Sequence, residues 1–194
     1  MRQALLLQLH QYNSYQLIKR WNQNGKEAAT KYINRIIEYY VMLLIPAVVG
    51  LGFVAKYFYG TLIDRSYIGG AAVIMLASIG FFFTGLNDIM YKLWQLEEKT
   101  NRILGLMLLS FISNVVLNAV LLPIFGFIAA AYTTIASYLL IYIIAFFGIR
   151  KEFAIKIKII QLLQSIVAAI SMCIVLTIFK RFMGSIVGLI VSII

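Results

Sequence analysis

Residues 103–149 decide the fold and read ILGLMLLSFISNVVLNAVLLPIFGFIAAAYTTIASYLLIYIIAFFGI. The stretch contains no charged side chain, and its only interruption is Pro123–Gly126 (PIFG), which favours a turn. A helix needs about 20 apolar residues to cross the hydrocarbon core of a bilayer. The parts on either side of the turn, 103–122 and 127–149, are each long enough. Because helices of a soluble bundle carry polar faces that these parts almost lack, we predict two membrane-spanning helices.

Apolar runs also flank this hairpin. Counting the hairpin itself, the predicted spans are 39–57, 67–89, 103–122, 127–149 and 157–179, followed by an apolar run at 183–194. That last run is too short to cross the membrane, so we expect the chain to be a fragment of a longer protein. The predicted fold class is all-α, a polytopic transmembrane helix bundle with five full spans and a truncated sixth over residues 38–194.

Residues 1–37 are predicted to form a cytoplasmic or interfacial amphipathic segment that leads into the first span. The sequence NQNG at 22–25 is a turn signal. The residues that follow alternate at helical spacing. One face carries Ala28, Tyr32, Ile36 and Tyr40, and another carries Glu27, Lys31 and Arg35.

The composition argues against a soluble protein. Hydrophobic residues make up 62% of the chain and charged residues 12%, whereas a soluble domain is about half apolar and a quarter charged. The net charge of +10 comes from Lys and Arg between apolar runs, so we expect membrane lipids and no nucleic acid as partners. The single cysteine, Cys173, lies far from the only histidine, His10, and we expect no metal and no cofactor.

Lys and Arg are distributed unevenly between the two sides of the predicted membrane. Thirteen lie in the N-terminal segment and in the loops after the second and fourth spans, and four lie on the other side. Cytoplasmic loops carry the excess of positive charge. We therefore predict a multi-pass membrane protein with a cytoplasmic N-terminus.

Polar residues inside the spans are candidates for function, because polar groups in lipid need a partner or a water-filled path. Ser110, Asn114 and Asn118 recur at every fourth position of the third span and form one polar stripe. The stripe either lines a substrate cavity or forms hydrogen bonds between helices.

Two further features are candidates for gating and hinge motion. Asn87, Asp88 and Lys92 close the second span, where they either gate the cytoplasmic mouth or form a solvated helix end. Pro46 removes a helical hydrogen bond in the first span and is a candidate hinge.

Small residues in the fourth span predict close helix packing. One row contains Gly126, Ala130 and Thr134, and a second contains Ala129, Thr133 and Ser137. Such rows let neighbouring backbones approach closely, and the expected neighbour is the third span.

Residues 114–131, NVVLNAVLLPIFGFIAAA, resemble a hallmark of polysaccharide flippases of the multidrug/oligosaccharidyl-lipid/polysaccharide exporter superfamily. The residues that match the family pattern are Asn114, Asn118, Pro123, Gly126, Ala130 and Ala131. Ala129 stands where the family usually has a second glycine. The likeness extends over about residues 20–175, mostly as hydropathy outside the hairpin.

The resemblance implies that the chain is part of the C-terminal lobe of a two-lobed exporter whose N-terminal lobe is missing. It also implies a location in the plasma (inner) membrane and a substrate, an oligosaccharide linked to undecaprenyl diphosphate. Transport would proceed by alternating access, for cell-surface polysaccharide biosynthesis. Cationic side chains would pair with the diphosphate, and Lys56 is the nearest candidate in this chain.

Two alternatives stay open. A cation-coupled multidrug exporter of the same superfamily would need a carboxylate deep in a lobe, whereas Asp88 and Glu38 lie near span ends. The second alternative is a non-transporting membrane scaffold or a sugar transferase subunit. Because no catalytic constellation is present in the sequence, we expect the protein not to be an enzyme.

Overall fold

The computed structural model describes the backbone of residues 2–61, 68–156 and 158–191, and the side chains of 14–55, 70, 72–156 and 158–178. The described backbone forms α1 (Arg2–Thr61), α2 (Ile68–Leu96), α3 (Thr100–Phe125), α4 (Ile128–Glu152) and α5 (Ile159–Val191). All five helices contain a stretch long and apolar enough to cross a membrane. The prediction of an all-α bundle with five spans is therefore confirmed.

The truncated sixth run is not a separate helix where it is described. Residues 183–191 continue α5 without a break, and residues 192–194 lie outside the described part of the chain. Lys180 and Arg181 interrupt the hydropathy of the sequence there, but neither residue prevents helical backbone hydrogen bonding. Hydropathy therefore predicted a boundary that the backbone does not have.

α1 is broken at the predicted turn. Gly25 has φ 74° and ψ −170°, a conformation essentially restricted to glycine, and helical geometry resumes after it. In the following segment Ala29, Ile33 and Ile37 are buried, one position beyond each member of the predicted apolar face. Pro46 also lies inside α1. Its function as a hinge stays a prediction.

The described chain divides into two compact units. One comprises Met1–Tyr40 and Ile79–Ile157, and the other comprises Val41–Ser78 and Lys158–Ile194. In the second unit a Cβ on Gly50 would collide with the Met172 side chain of α5, so the helices approach closely there. An apolar groove of about 530 Å³ lies beside this contact and is lined by residues such as Ile45 and Ile174.

In the first unit α3 and α4 form the predicted hairpin. The helices pack against each other, and Gly126 turns the chain between them with φ 68° and ψ −163°. The buried face of α4 repeats at every fourth position and comprises Ala129, Thr133, Ser137, Ile141, Ala145 and Ile149. Large apolar side chains cover the outer surface of α3, and Phe111 is 67% exposed. Lipid is the solvent that such a surface requires.

The N-terminal segment is attached to the α2–α3 and α4–α5 connections of the first unit. Lys26 Nζ lies 2.6 Å from Glu97 Oε1. Lys99 Nζ joins that connection to Glu152 at 2.8 Å. Asn34 Nδ2 donates to the carbonyl of Ala154 at 3.0 Å. These three parts of the chain therefore meet on one side of the unit.

Candidate functional site

A polar cavity of about 340 Å³ lies among α2, α3 and α4 of the first unit. Its polar lining residues are Thr84, Asn87, Asp88 and Tyr91 of α2, Ser110 and Asn114 of α3, and Thr134 and Tyr138 of α4. Met107, Phe111 and Ile141 complete the wall. Within otherwise apolar helices, this cavity is where the chain offers a polar path or a ligand site.

The structure brings together four of the six residues that the sequence singled out for a cavity or gate: Asn87, Asp88, Ser110 and Asn114. Asn118 lies next to the cavity and reaches it through Asn114. Lys92 instead donates to Ser14 Oγ of α1 at 3.3 Å. The side chain of Lys56, the predicted partner of a diphosphate, lies outside the described residues.

Asn114 and Asn118 connect α3 to α4 by hydrogen bonds. Thr133 Oγ1 donates to Asn118 Oδ1 at 2.7 Å, and Asn118 Nδ2 donates to Asn114 Oδ1 at 2.9 Å. Asn114 Nδ2 then donates to Thr134 Oγ1 at 3.3 Å. The interhelical alternative is therefore realised for both asparagines, while Ser110 and Asn114 also face the cavity.

Two buried polar atoms on the α2 wall have no hydrogen-bond partner among the described residues. Asn87 is 3% exposed and its Nδ2 donates to the Tyr138 carbonyl at 3.4 Å, but its Oδ1 is unpaired. Tyr91 is 4% exposed and its hydroxyl is also unpaired. An unpaired buried polar group costs about 1–3 kcal/mol. Both atoms are closed to solvent in this structure, so a ligand reaches them only when the side chains around them move.

Sequence reasoning missed Thr84, Tyr91 and Tyr138. Thr84 and Tyr91 flank Asn87 at spacings of three and four, so helical periodicity could have placed them on the same face of α2. Tyr138 belongs to another helix, and no signal within α2 points to it.

The packing function of the row Gly126, Ala130 and Thr134 stays a prediction, and the structure shows what each of these residues contacts. A Cβ on Gly126 would meet nothing within 4 Å, so this glycine serves the positive φ of the turn. The Ala130 carbonyl accepts from Thr134 Oγ1 at 2.8 Å. Contacts of α4 with α2 involve two further glycines: a Cβ on Gly80 would lie 3.6 Å from Thr134 Cγ2, an ordinary contact, and a Cβ on Gly148 would lie 3.0 Å from Trp94 Cζ2, a tight one.

Charged side chains form a second cluster at the connections of this unit. Partial burial raises the pKa of Glu97, but hydrogen bonds from Lys26 and Lys99 outweigh this and leave that pKa below its ordinary value. Hydrogen bonds to Glu152 and Glu97 raise the pKa of Lys99. Among the residues with described side chains, no three His, Cys, Asp or Glu residues are grouped as metal ligands.

Comparison with known proteins finds one distant likeness. No family model and no solved structure matches this chain. A protein of Methanocaldococcus jannaschii named as an uncharacterized membrane protein is 22% identical over 131 residues, 68% of this chain. The chain spans about a quarter of that relative, 26% of its length. This likeness and the five apolar helices identify the chain as a multi-pass membrane protein.

Proposed function

We propose that the chain is part of a flippase that moves undecaprenyl-diphosphate-linked oligosaccharide across the plasma membrane by alternating access, for cell-surface polysaccharide biosynthesis. The observation that carries this proposal is the polar cavity among α2, α3 and α4. Transporters bind their substrates within the membrane, where polar residues otherwise destabilise a helix. The resemblance of the α3–α4 hairpin to polysaccharide flippases supplies the substrate class.

The chemistry of the cavity suits sugar hydroxyls, each of which both donates and accepts a hydrogen bond. Asn87 Oδ1 is an unpaired acceptor, and the Tyr91 hydroxyl is an unpaired group that can donate. The two lie four residues apart on α2, on one face of the helix. A sugar hydroxyl can therefore donate to Asn87 Oδ1 or accept from the Tyr91 hydroxyl once the side chains around these buried atoms move.

The cavity alone does not account for the whole substrate. Its volume of about 340 Å³ admits only part of an oligosaccharide, and no Lys or Arg is among its described lining residues. We infer that an N-terminal lobe, which the resemblance implies, completes the path and supplies cations for the diphosphate.

The proposed orientation places the N-terminus in the cytoplasm. The positive-inside bias supports it. So do the contacts of Lys26 with Glu97 and of Asn34 with Ala154, which join three cation-rich parts of the chain on one side.

The proposal is tested in cells that lack their own flippase and express the full-length protein containing this chain. The readout is the fraction of lipid-linked oligosaccharide that an impermeant lectin reaches from outside. We expect that fraction to rise with the wild type and to fall with Asn87→Ala. Asn101→Ala, an exposed asparagine at the start of α3, is the matched control and should behave as wild type. No rise with the wild type at normal protein abundance would reject the proposal.

A second candidate, a cation-coupled multidrug exporter, is favoured by the position of Asp88. This carboxylate lines the cavity, and because α2 continues to Leu96, Asp88 does not lie at the end of its helix as the sequence predicted. That location is what coupling to an ion gradient requires. The discriminating measurement is efflux of a cationic dye, which should depend on a proton or Na⁺ gradient and be lost in Asp88→Asn. A flippase without coupling would leave dye efflux at background in both proteins.

A further inference from the structure

A basic pocket of about 420 Å³ lies in the first unit between the N-terminal segment and the α4–α5 connection. Its walls include Lys26, Thr30, Lys31 and Asn34 from α1, and Phe153 and Lys156 from the connection. The pocket is separate from the polar cavity and shares none of its lining residues.

The walls of this basic pocket are held in place by hydrogen bonds and by burial. Asn34 Nδ2 donates to the Ala154 carbonyl at 3.0 Å, and the backbone N–H of Lys156 donates to Asn34 Oδ1 at 3.2 Å. Ile33 and Phe153 are buried beside them. The backbones that carry Lys31 and Lys156 are therefore fixed relative to each other before any ligand binds.

The carboxylates near the pocket are already engaged by cations. Glu97 is paired with Lys26 and Lys99 at 2.6 Å each. Glu152 accepts from Lys99 at 2.8 Å and from Arg102 at 2.5 Å.

The lysines facing the mouth of the pocket are available to an anion. Lys31 and Glu27 lie 2.9 Å apart, but both are strongly exposed, and a surface pair of this kind contributes little. Lys156 has an exposed side chain. The pocket and the charged side chains next to it carry a positive net charge. Together they contain five cations (Lys26, Lys31, Lys99, Arg102, Lys156) and three carboxylates (Glu27, Glu97, Glu152).

The pocket also lies where an apolar helix ends. α4 ends at Glu152, which lines the pocket. Basic pockets at such helix ends meet the headgroups of anionic lipids. We propose that this pocket binds the phosphate of an anionic lipid headgroup through the ammonium groups of Lys31 and Lys156. A free phosphate ion offers the same chemistry but no acyl chains.

The test is a binding titration of the full chain in neutral detergent, followed by tryptophan fluorescence. The Trp21 ring lies 6.5 Å from that of Phe153, and Trp94 Nε1 donates to Glu152 Oε2 at 3.2 Å, so each tryptophan is next to a residue that lines the pocket. Dioctanoyl phosphatidylglycerol should produce a saturable change, and dioctanoyl phosphatidylcholine should not. Each lysine near a headgroup contributes roughly a fivefold gain in affinity, so Lys31→Gln with Lys156→Gln should weaken binding about 30-fold. The control, Lys19→Gln with Lys151→Gln, removes the same charge at exposed positions outside the pocket and should bind like wild type.

Three results would overturn the proposal. Equal weakening by the two double variants would show non-specific attraction, and equal binding of phosphatidylcholine would exclude phosphate recognition by charge. Inorganic phosphate binding as tightly as phosphatidylglycerol would reject the lipid as the ligand. The last two comparisons use the wild-type chain, so they decide the question even if the pocket variant does not fold.

Discussion

Replacing Asn118 tests the hydrogen bonds between α3 and α4. Asn118→Leu keeps the approximate volume of the side chain. It removes the acceptor of Thr133 Oγ1 at 2.7 Å and the donor to Asn114 Oδ1 at 2.9 Å. Thr133 retains the Ala130 carbonyl at 2.9 Å as an acceptor, so its hydroxyl stays paired. The loss is therefore confined to two side-chain hydrogen bonds.

Side-chain hydrogen bonds between membrane helices average about 0.6 kcal/mol, with a maximum near 1.7 kcal/mol. Two such bonds give an expected decrease of about 1–2 kcal/mol in the free energy of unfolding for Asn118→Leu. The share that belongs to Thr133 should appear as a coupling free energy of about 0.6 kcal/mol with Thr133→Val.

The assay is SDS-induced unfolding in mixed micelles, applied to wild type, both single variants and the double variant. Val116→Leu, at an exposed position on α3, is the control and should change the free energy little. Zero coupling between Asn118 and Thr133 would contradict the observed hydrogen bond. A loss above about 4 kcal/mol would show that packing, and not hydrogen bonding, is disturbed.

Further substitutions have expected outcomes in the same assay. Gly126→Ala should destabilise by about 1–3 kcal/mol, because its φ and ψ exclude a side chain although the space is empty. Gly105→Ala, also in open space but helical, should be neutral or stabilising, and equal effects at both positions would contradict the argument. Gly85→Ala should destabilise by about 1–3 kcal/mol, since its Cβ would collide with the Tyr40 hydroxyl, and Tyr40→Phe should recover part of the loss. The pKa of Glu97 in the folded protein is lowered from 4.5. The contribution of Glu97 to stability is therefore present above pH 4.5 and is lost as the pH falls through the folded-state pKa. Glu97→Gln should weaken this loss of stability in acid, and an unchanged dependence of stability on pH would contradict the argument.

The helices and the hairpin could be predicted because they depend on local signals. Apolar length identified the spans. Residues 123–126 identified the position of the turn, but Pro123 lies inside α3 and the chain turns at Gly126. α3 begins before the predicted span, at Thr100, and α4 continues past it to Glu152, because polar residues at these two ends continue the helix without adding hydropathy. For the same reason the sequence predicted a boundary near residues 180–182 that α5 does not have.

The buried face of the N-terminal segment could not be placed from the sequence. Periodicity put Ala28 and Tyr32 on the apolar face, whereas Ala29 and Ile33 are the buried residues. The segment packs against other parts of its own unit, and which neighbour it meets depends on tertiary contacts that one helix does not encode. The cavity could be predicted only in part, because its lining residues come from three different helices. Its asparagines are unusual in a span, but Tyr138 resembles any other membrane tyrosine.

The most direct test of the account is the sidedness of its connections in cells. In a Cys173→Ser background, single cysteines at Glu98, Lys156 and Phe127 are treated with a membrane-impermeant maleimide before and after lysis. We expect Phe127→Cys, at the α3–α4 turn, to react in intact cells, and Glu98→Cys and Lys156→Cys to react only after lysis. If all three positions react from the same side, the chain does not cross the membrane as described, and the transport proposal loses its basis.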